Sequence, residues 1–223
     1  MNIFERVDGV FFDWDGTLVD TVFSGLSVIN AFLSLNGKDK IKEDSYVLSP
    51  SLSIRDAFHS LFTPDEYNKA VKDFKAFLDQ RTENIFPFEG AERLLYFLYN
   101  LSIPMGIVSN QYGDVLRRQV KQLKWEKYFS YISGSGDWEQ DKPSAMPLIG
   151  TLRNSGVEPG KSVFFVGDSL VDMVCAQHAG CTPVSVGAQA KTFNGNFVSF
   201  KNICHFYDEI KSSIENNFLG EKK

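Results

Sequence analysis

Two carboxylates one residue apart, in Asp13-Trp14-Asp15-Gly16-Thr17, follow directly on the apolar run Val10-Phe11-Phe12. In a continuing strand, side chains at i and i+2 leave on the same side, which makes Asp13 and Asp15 a pair. Such a pair suits a divalent cation, or a nucleophile with an adjacent acid/base. Gly16 lets the chain turn and brings backbone N–H groups near a ligand. Calcium loops and ordinary turns also carry Asp-x-Asp-Gly, so this motif alone leaves the chemistry open. A second acidic group, Val166-Gly167-Asp168-Ser169-Leu170-Val171-Asp172, also ends an apolar run and leads into a helix, with Asp172 one turn in. By itself Asp168 would serve equally as a helix cap. Between the two acidic motifs, Ser109-Asn110 closes the Ile103–Val108 run and Lys142-Pro143 sits in a loop before a helix. Taken singly, Ser109 is an ordinary cap and Lys142 a solvated charge.

These residues need elements to hold them. Five short apolar runs read as buried strands: Val10–Phe12, Ile103–Val108, Phe129–Ile132, Val163–Val166 and Pro183–Val186. Amphipathic helices lie between them, over Ala91–Leu98 and Asp114–Leu123. The alternation implies βαβ units around a parallel sheet covered on both faces. Thr21–Glu83 breaks it, with three helical stretches, Val22–Leu35, Ser53–Phe62 and Pro64–Arg81, and no strand. Thr63-Pro64-Asp65-Glu66 is a helix start with a cap, a proline and acids in the first turn. The expected fold is therefore α/β: a Rossmann-like, three-layer parallel-sheet core over 1–18 and 86–223, with a small all-helical cap domain, 19–85, inserted after the first strand. The 223 residues have room for one core and such an insertion.

The chain carries 23 Lys+Arg against 28 Asp+Glu, a net charge of -5, with no basic block. Nucleic acid is thereby a poor general partner, because its binding runs on phosphate neutralisation. Met1–Val10 lacks the apolar stretch of a signal peptide, and no run reaches the length of a membrane span, so no membrane association and a cytoplasmic location are expected. Cys175, Cys181 and Cys204 form no C-x-x-C pair, which fits a reducing compartment and buried thiols rather than disulfides or a thiolate zinc site. The three histidines are scattered singly. Gly220–Lys223 reads as a frayed tail.

The order strand-Asp-x-Asp-Gly, strand-Ser, loop-Lys-Pro, strand-Gly-Asp-Ser around one parallel sheet resembles the haloacid dehalogenase (HAD) superfamily, specifically its phosphoglycolate phosphatase and β-phosphoglucomutase branch. The resemblance covers nearly the whole chain, including Phe86-Pro87-Phe88-Glu89-Gly90, where the cap rejoins the core, and Ala176–Gly180. It implies Asp13 as the nucleophile that becomes an aspartyl-phosphate, and Asp15 as the acid that protonates the leaving oxygen and then activates water. It implies Mg²⁺ held by Asp13, Asp168 and the Asp15 carbonyl, with Asp172 supporting the metal's water shell or Lys142. Ser109 and the Asn110 N–H would bind phosphoryl oxygens, Lys142 would neutralise charge, and Gly16 and Thr17 would bind substrate. Asp15 favours phosphoryl transfer, since members that cleave carbon–halogen bonds lack a carboxylate there. Phosphonate-cleaving members use a cap lysine, whereas Lys38, Lys40 and Lys42 sit in a polar, solvated stretch. In the cap loop Leu48–Arg55, Arg55 aligns with an arginine of sugar-phosphate members and would pair a second anionic group of the substrate; the alternative is an ordinary helix-start arginine pairing with Asp56 or Glu66. His59, one turn on, is assigned to cap–core packing, the alternative being that it faces the same cleft. Two departures stand out: Pro147 is displaced from the usual Lys-Pro-x-Pro spacing, and Trp14 is bulky and expected to point away from the carboxylates. The implied activity is Mg²⁺-dependent hydrolysis of a small phosphorylated metabolite by a monomer or homodimer. The alternatives are a sugar-phosphate mutase using the same residues and a catalytically silent binding protein.

Overall fold

The computed structural model of the chain describes residues 3–20, 22–42, 54–79, 85–187 and 197–220. Its centre is a six-stranded parallel sheet: β1 Gly9–Phe12, β2 Met105–Tyr112, β3 Tyr131–Ser135, β4 Val163–Gly167, β5 Thr182–Val186 and β6 Val198–Phe200, in the order β3-β2-β1-β4-β5-β6. Alternate side chains of one strand feed different layers. Val10 and Phe12 join one apolar cluster and Phe11 the other; Phe164 and Val166 part from Phe165 in the same way. All of these are fully buried, which is why the strands read as continuous apolar runs.

On one face lie α4 Ala91–Asn100, α5 Gly113–Gln122 and α8 Ile203–Gly220; on the other lie α6 Met146–Asn154 and α7 Leu170–His178. The three layers agree with the sequence expectation. The boundaries of β2 differ. It opens at Met105 and runs on to Tyr112, so Ser109 and Asn110 lie inside it rather than beyond it. A register shift against β3 between Val108 and Tyr112 carries this polar extension. β3 starts at Tyr131, because Glu126–Tyr128 forms a 3₁₀ turn that ends at Phe129. Neither β6 nor α8 was read from the sequence.

After β1 come α1 Val22–Leu35, α2 Ile54–Leu61 and α3 Pro64–Asp79. They bury a cluster of their own, with Phe32, Phe58 and Phe74 at its centre, joined from the sheet side by Tyr112 and Val115. Phe74 and Tyr112 rings stand 6.0 Å apart. Chain entry and exit meet at the core: Asp20 N–H donates to Phe86 O at 2.8 Å and Phe88 N–H to Leu18 O at 3.0 Å. Val19 and Ile85 pack in the main cluster. The expected α2 start at Ser53, the α3 end at Gln80-Arg81, the Leu48–Ser53 part of the substrate loop and the tail beyond Gly220 lie outside the described residues.

Candidate active site

The strand order reverses at β1, which has β2 on one side and β4 on the other. In open α/β sheets, ligands collect beyond the carboxyl ends of strands at this point. Asp13 follows β1, and its N–H donates to Val166 O of β4 at 2.8 Å. Asp168 follows β4. Asp13, Asp168 and Asp172 each turn a carboxylate oxygen into one cluster, all within 4.8 Å of one another.

Lys142 reaches this cluster from the loop before α6. Its Nζ lies 2.7 Å from Asp13 Oδ1 and 2.7 Å from Asp172 Oδ1, and the side chain is 3% exposed. Asp172 is engaged at both oxygens: Oδ2 accepts from the Ser169 N–H at 3.1 Å and from the Ser169 hydroxyl, as a capping box that starts α7. Gly167 leaves room for this, since a Cβ there would collide with Asp172. Gly16 has φ +80°, and a Cβ on it would stand 2.5 Å from Asp168 Oδ2, so the turn both needs left-handed backbone and runs close against Asp168. The Thr17 hydroxyl donates to Asp168 Oδ1 at 3.4 Å.

Asp15 stands apart from the ion cluster. The Gln111 amide donates to both its oxygens at 3.1 Å, and the Ser109 hydroxyl donates to Oδ2 at 3.4 Å. The side chain of Asn110 grips the backbone of Lys142 from both sides: Nδ2 donates to Lys142 O at 2.9 Å, and Lys142 N–H donates to Oδ1 at 3.0 Å. The end of β2 thereby fixes the base of the lysine.

Electrostatics follow from burial. Burial pushes the Asp13 carboxyl well above the carboxylate range against the pull of Lys142, with Asp172, Asp168 and Asp15 adding to the rise. Asp168 is pushed up to about 7 by burial and by Asp172. Burial alone would lower the Lys142 ammonium, but Asp13 and Asp172 outweigh it and raise it, so the lysine stays charged. Carboxylates held back in this way call for more positive charge. A set of hard oxygen donors gathered this closely suits a small divalent cation such as Mg²⁺.

Beside Lys142 a cleft of about 300 Å³ opens, lined by Arg55, His59 and the loop Glu139–Ser144. Arg55 Nη1 donates to Trp138 O at 3.2 Å. Trp138 itself is tied to Ser133 Oγ through Nε1, and Asp141 accepts from Ser135 Oγ at 2.8 Å, so the end of β3 braces this loop.

Residues 10–186 match the profile of the haloacid dehalogenase-like hydrolase family. The chain belongs to that family. This HAD-like hydrolase is 26% identical to a phosphoglycolate phosphatase of Chromobacterium violaceum over 95% of this chain and 100% of the relative. It is 30% identical to the phosphoglycolate phosphatase of Neisseria meningitidis over 82% of this chain and 81% of that one. Among solved structures, a HAD-superfamily hydrolase from Ehrlichia chaffeensis is 32% identical, with a TM-score of 0.67 over 94% of this chain and 98% of the other. A β-phosphoglucomutase from Clostridium difficile shares the fold at 16% identity, with a TM-score of 0.78 over 96% of this chain and 99% of the other. The chain is an enzyme of the phosphatase branch of this family. Among the described residues no helix is long and apolar enough to cross a membrane.

The structure brings together most of the residues singled out from the sequence. Asp13, Asp168, Asp172 and Lys142 share one cluster; Gly16 and Thr17 abut Asp168; Ser109 reaches Asp15. Arg55 lines the same cleft as Lys142; of the two partners in the alternative reading, Glu66 pairs with Lys38 at 3.2 Å, and the Asp56 side chain lies outside the described residues. His59 does not pack on the core: its ring stacks on Tyr67 at 3.9 Å and it faces the cleft. Trp14 points away from the carboxylates, fully buried, its Nε1 on Gln119 Oε1 at 2.7 Å and its ring edge-on to Trp125 at 5.9 Å. Pro147 falls in the first turn of α6, which tolerates it. Gln111 was missed. It stands two residues after Ser109 on the same strand and so points to the same side, a signal hidden by ending β2 at Val108.

Proposed function

We propose that this HAD-like hydrolase releases phosphate from a small phosphomonoester by way of an aspartyl-phosphate on Asp13, with Mg²⁺ bound. The observation that carries the proposal is the Asp13 carboxylate at 2.7 Å from a buried Lys142, with Asp168 in the same cluster and Asp15 close by. Asp13, Asp168 and the Asp15 carbonyl would hold the ion. Asp172 has both oxygens committed to Lys142 and Ser169, which favours a supporting role over direct ligation. The bound ion supplies charge neutralisation that lets a phosphoryl dianion approach a carboxylate.

The chain's own groups do the rest. Lys142 screens Asp13 and the incoming phosphoryl oxygens. Ser109 and the Asn110 N–H receive those oxygens. Asp13 Oδ attacks phosphorus in line with the ester oxygen, which takes a proton from Asp15 as it leaves. Asp15 then takes a proton from the water that attacks the phosphorylated Asp13. The helices α1–α3, over 19–85, act as a cap that shields the cleft from bulk water, with Arg55 facing a second polar or anionic group of the substrate. Phosphoglycolate, the substrate named for the Chromobacterium and Neisseria relatives, fits a cleft this small and has such a second anionic group. A cytoplasmic setting belongs to the same proposal, supported by three free cysteines.

The test is a panel of phosphate esters, phosphoglycolate among them, assayed for phosphate release with Mg²⁺ and with EDTA. Release that depends on Mg²⁺ is expected, and Asp13→Asn is expected to lose it while keeping its circular dichroism and thermal melt. Turnover retained in Asp13→Asn would remove Asp13 as nucleophile.

A further inference from the structure

The Gln111 side chain sits against the acid/base carboxylate with half of its amide in use. Nε2 stands 3.1 Å from Asp15 Oδ1 and 3.1 Å from Oδ2. The backbone N–H of Gln111 donates to Ser109 Oγ at 3.0 Å, and that hydroxyl is turned toward Asp15 Oδ2. The other end, Oε1, is shielded from solvent and has no hydrogen-bond partner. Turning the amide over would place Oε1 against two carboxylate oxygens, acceptor on acceptor, so the neighbours dictate the orientation.

We infer that Gln111 is a positioning residue for the hydrolytic half of the reaction, its Nε2 fixing both oxygens of the Asp15 carboxylate that activates water. The inference rests on the aspartyl-phosphate reading given above. The water oxygen bonds to phosphorus, and the bond from phosphorus to the Asp13 oxygen breaks, returning its electron pair to the Asp13 carboxylate. One water proton passes to Asp15. The other stays on the released phosphate. An amide held against both oxygens of a general base lowers the disorder of that base.

The first half of the reaction does not use that water, and this makes the role separable. With p-nitrophenyl phosphate, whose leaving group needs no proton, Gln111→Ala is expected to keep the rate of the nitrophenolate burst within about threefold in stopped flow. Its steady-state rate should fall about 10–100-fold, the scale of a mispositioned base. Phosphorylated protein should build up in intact-mass spectra during turnover. Gln111→Met, of similar length but unable to donate to Asp15 and carrying no charge, is expected to show the same pattern while keeping its circular dichroism. A steady-state rate within about twofold of the parent for both variants, or a burst that slows as much as the steady state, overturns the inference. Asp15→Asn serves as the reference, since it should trap phosphorylated Asp13 from the same ester. If Asp15→Asn traps none, the aspartyl-phosphate reading itself falls; if it traps phosphoprotein and the Gln111 variants do not, the role of Gln111 alone falls.

Discussion

Replacing Lys142 by methionine would take out the ammonium that bridges Asp13 and Asp172 while leaving the side-chain volume nearly unchanged. The lysine is 3% exposed and lies 2.7 Å from each carboxylate. Two unit charges about 4 Å apart attract by about 4 kcal/mol at an effective dielectric of about 20, and desolvation of the ions returns much of this. Removing one partner of a buried ion network costs about 3–5 kcal/mol, because the remaining charges lose their compensation. Here two carboxylates are stranded beside Asp168, so the upper part of that range, about 4–5 kcal/mol, is expected near pH 8 without Mg²⁺. The loss should depend on pH in one direction. The Lys142 pKa is raised in the folded protein, so its contribution is fully present at every pH below the ordinary lysine value and does not vary between pH 5 and 8. The carboxyls of Asp13 and Asp168 are raised by burial, and they bind protons more readily folded than unfolded. Protonation as the pH falls through about 7 therefore relieves the variant, and its deficit shrinks toward pH 5. The assay is urea unfolding of parent and variant in EDTA across this range, repeated with Mg²⁺, which should recover part of the loss. A deficit below about 1 kcal/mol near pH 8, or one that does not change with pH, would refute the view of Lys142 as the counter-ion of a strained acidic cluster.

Other outcomes follow from single features. Trp14→Phe should cost about 2–3 kcal/mol in urea unfolding, since it opens space beside Trp125 and removes the hydrogen bond to Gln119. Apparent Mg²⁺ affinity, measured by calorimetry, should rise with pH up to about 7 and then level off, because below that value protons compete for Asp168. Near pH 8 a thiol reagent should modify Cys204 first and leave Cys175 protected until unfolding; Cys175 is buried, its thiol pushed up to about 12 by desolvation, and it donates to Ser144 O.

The clustering of Asp13, Asp168, Asp172 and Lys142 was legible from sequence because their motifs lie at or beyond the ends of short apolar runs, and a parallel sheet brings strand ends to one edge. The layers were legible for the same reason: Phe11, Phe164 and Phe165 announce burial on both faces. What escaped had weak local signals. β6 is Val198–Phe200, with only Phe200 buried, and it takes its place by pairing with β5 rather than by its own pattern. The extension of β2 through Ser109 to Tyr112 is polar and irregular in register, so periodicity stops marking it where the chemistry begins. The second task of Asn110, clamping the Lys142 backbone, joins residues 32 positions apart and has no signature in either segment. The bond from Arg55 to Trp138 O had no local signal, because Trp138 lies in a loop 83 residues away.

The sheet places the first-made strand innermost, and this sets an order on biosynthesis. β1 and Asp13 leave the ribosome long before β4, which must lie directly beside β1, and Asp13 is 129 residues ahead of its counter-ion Lys142. Until those later segments arrive, Asp13 lacks the burial and the Asp168 and Asp172 carboxylates that raise its pKa in the folded protein. The acidic pair that would bind a cation closes only when Asp168 arrives to dock on the Gly16 turn. A nascent chain therefore cannot assemble this acidic cluster until β4 has been made and has docked beside β1.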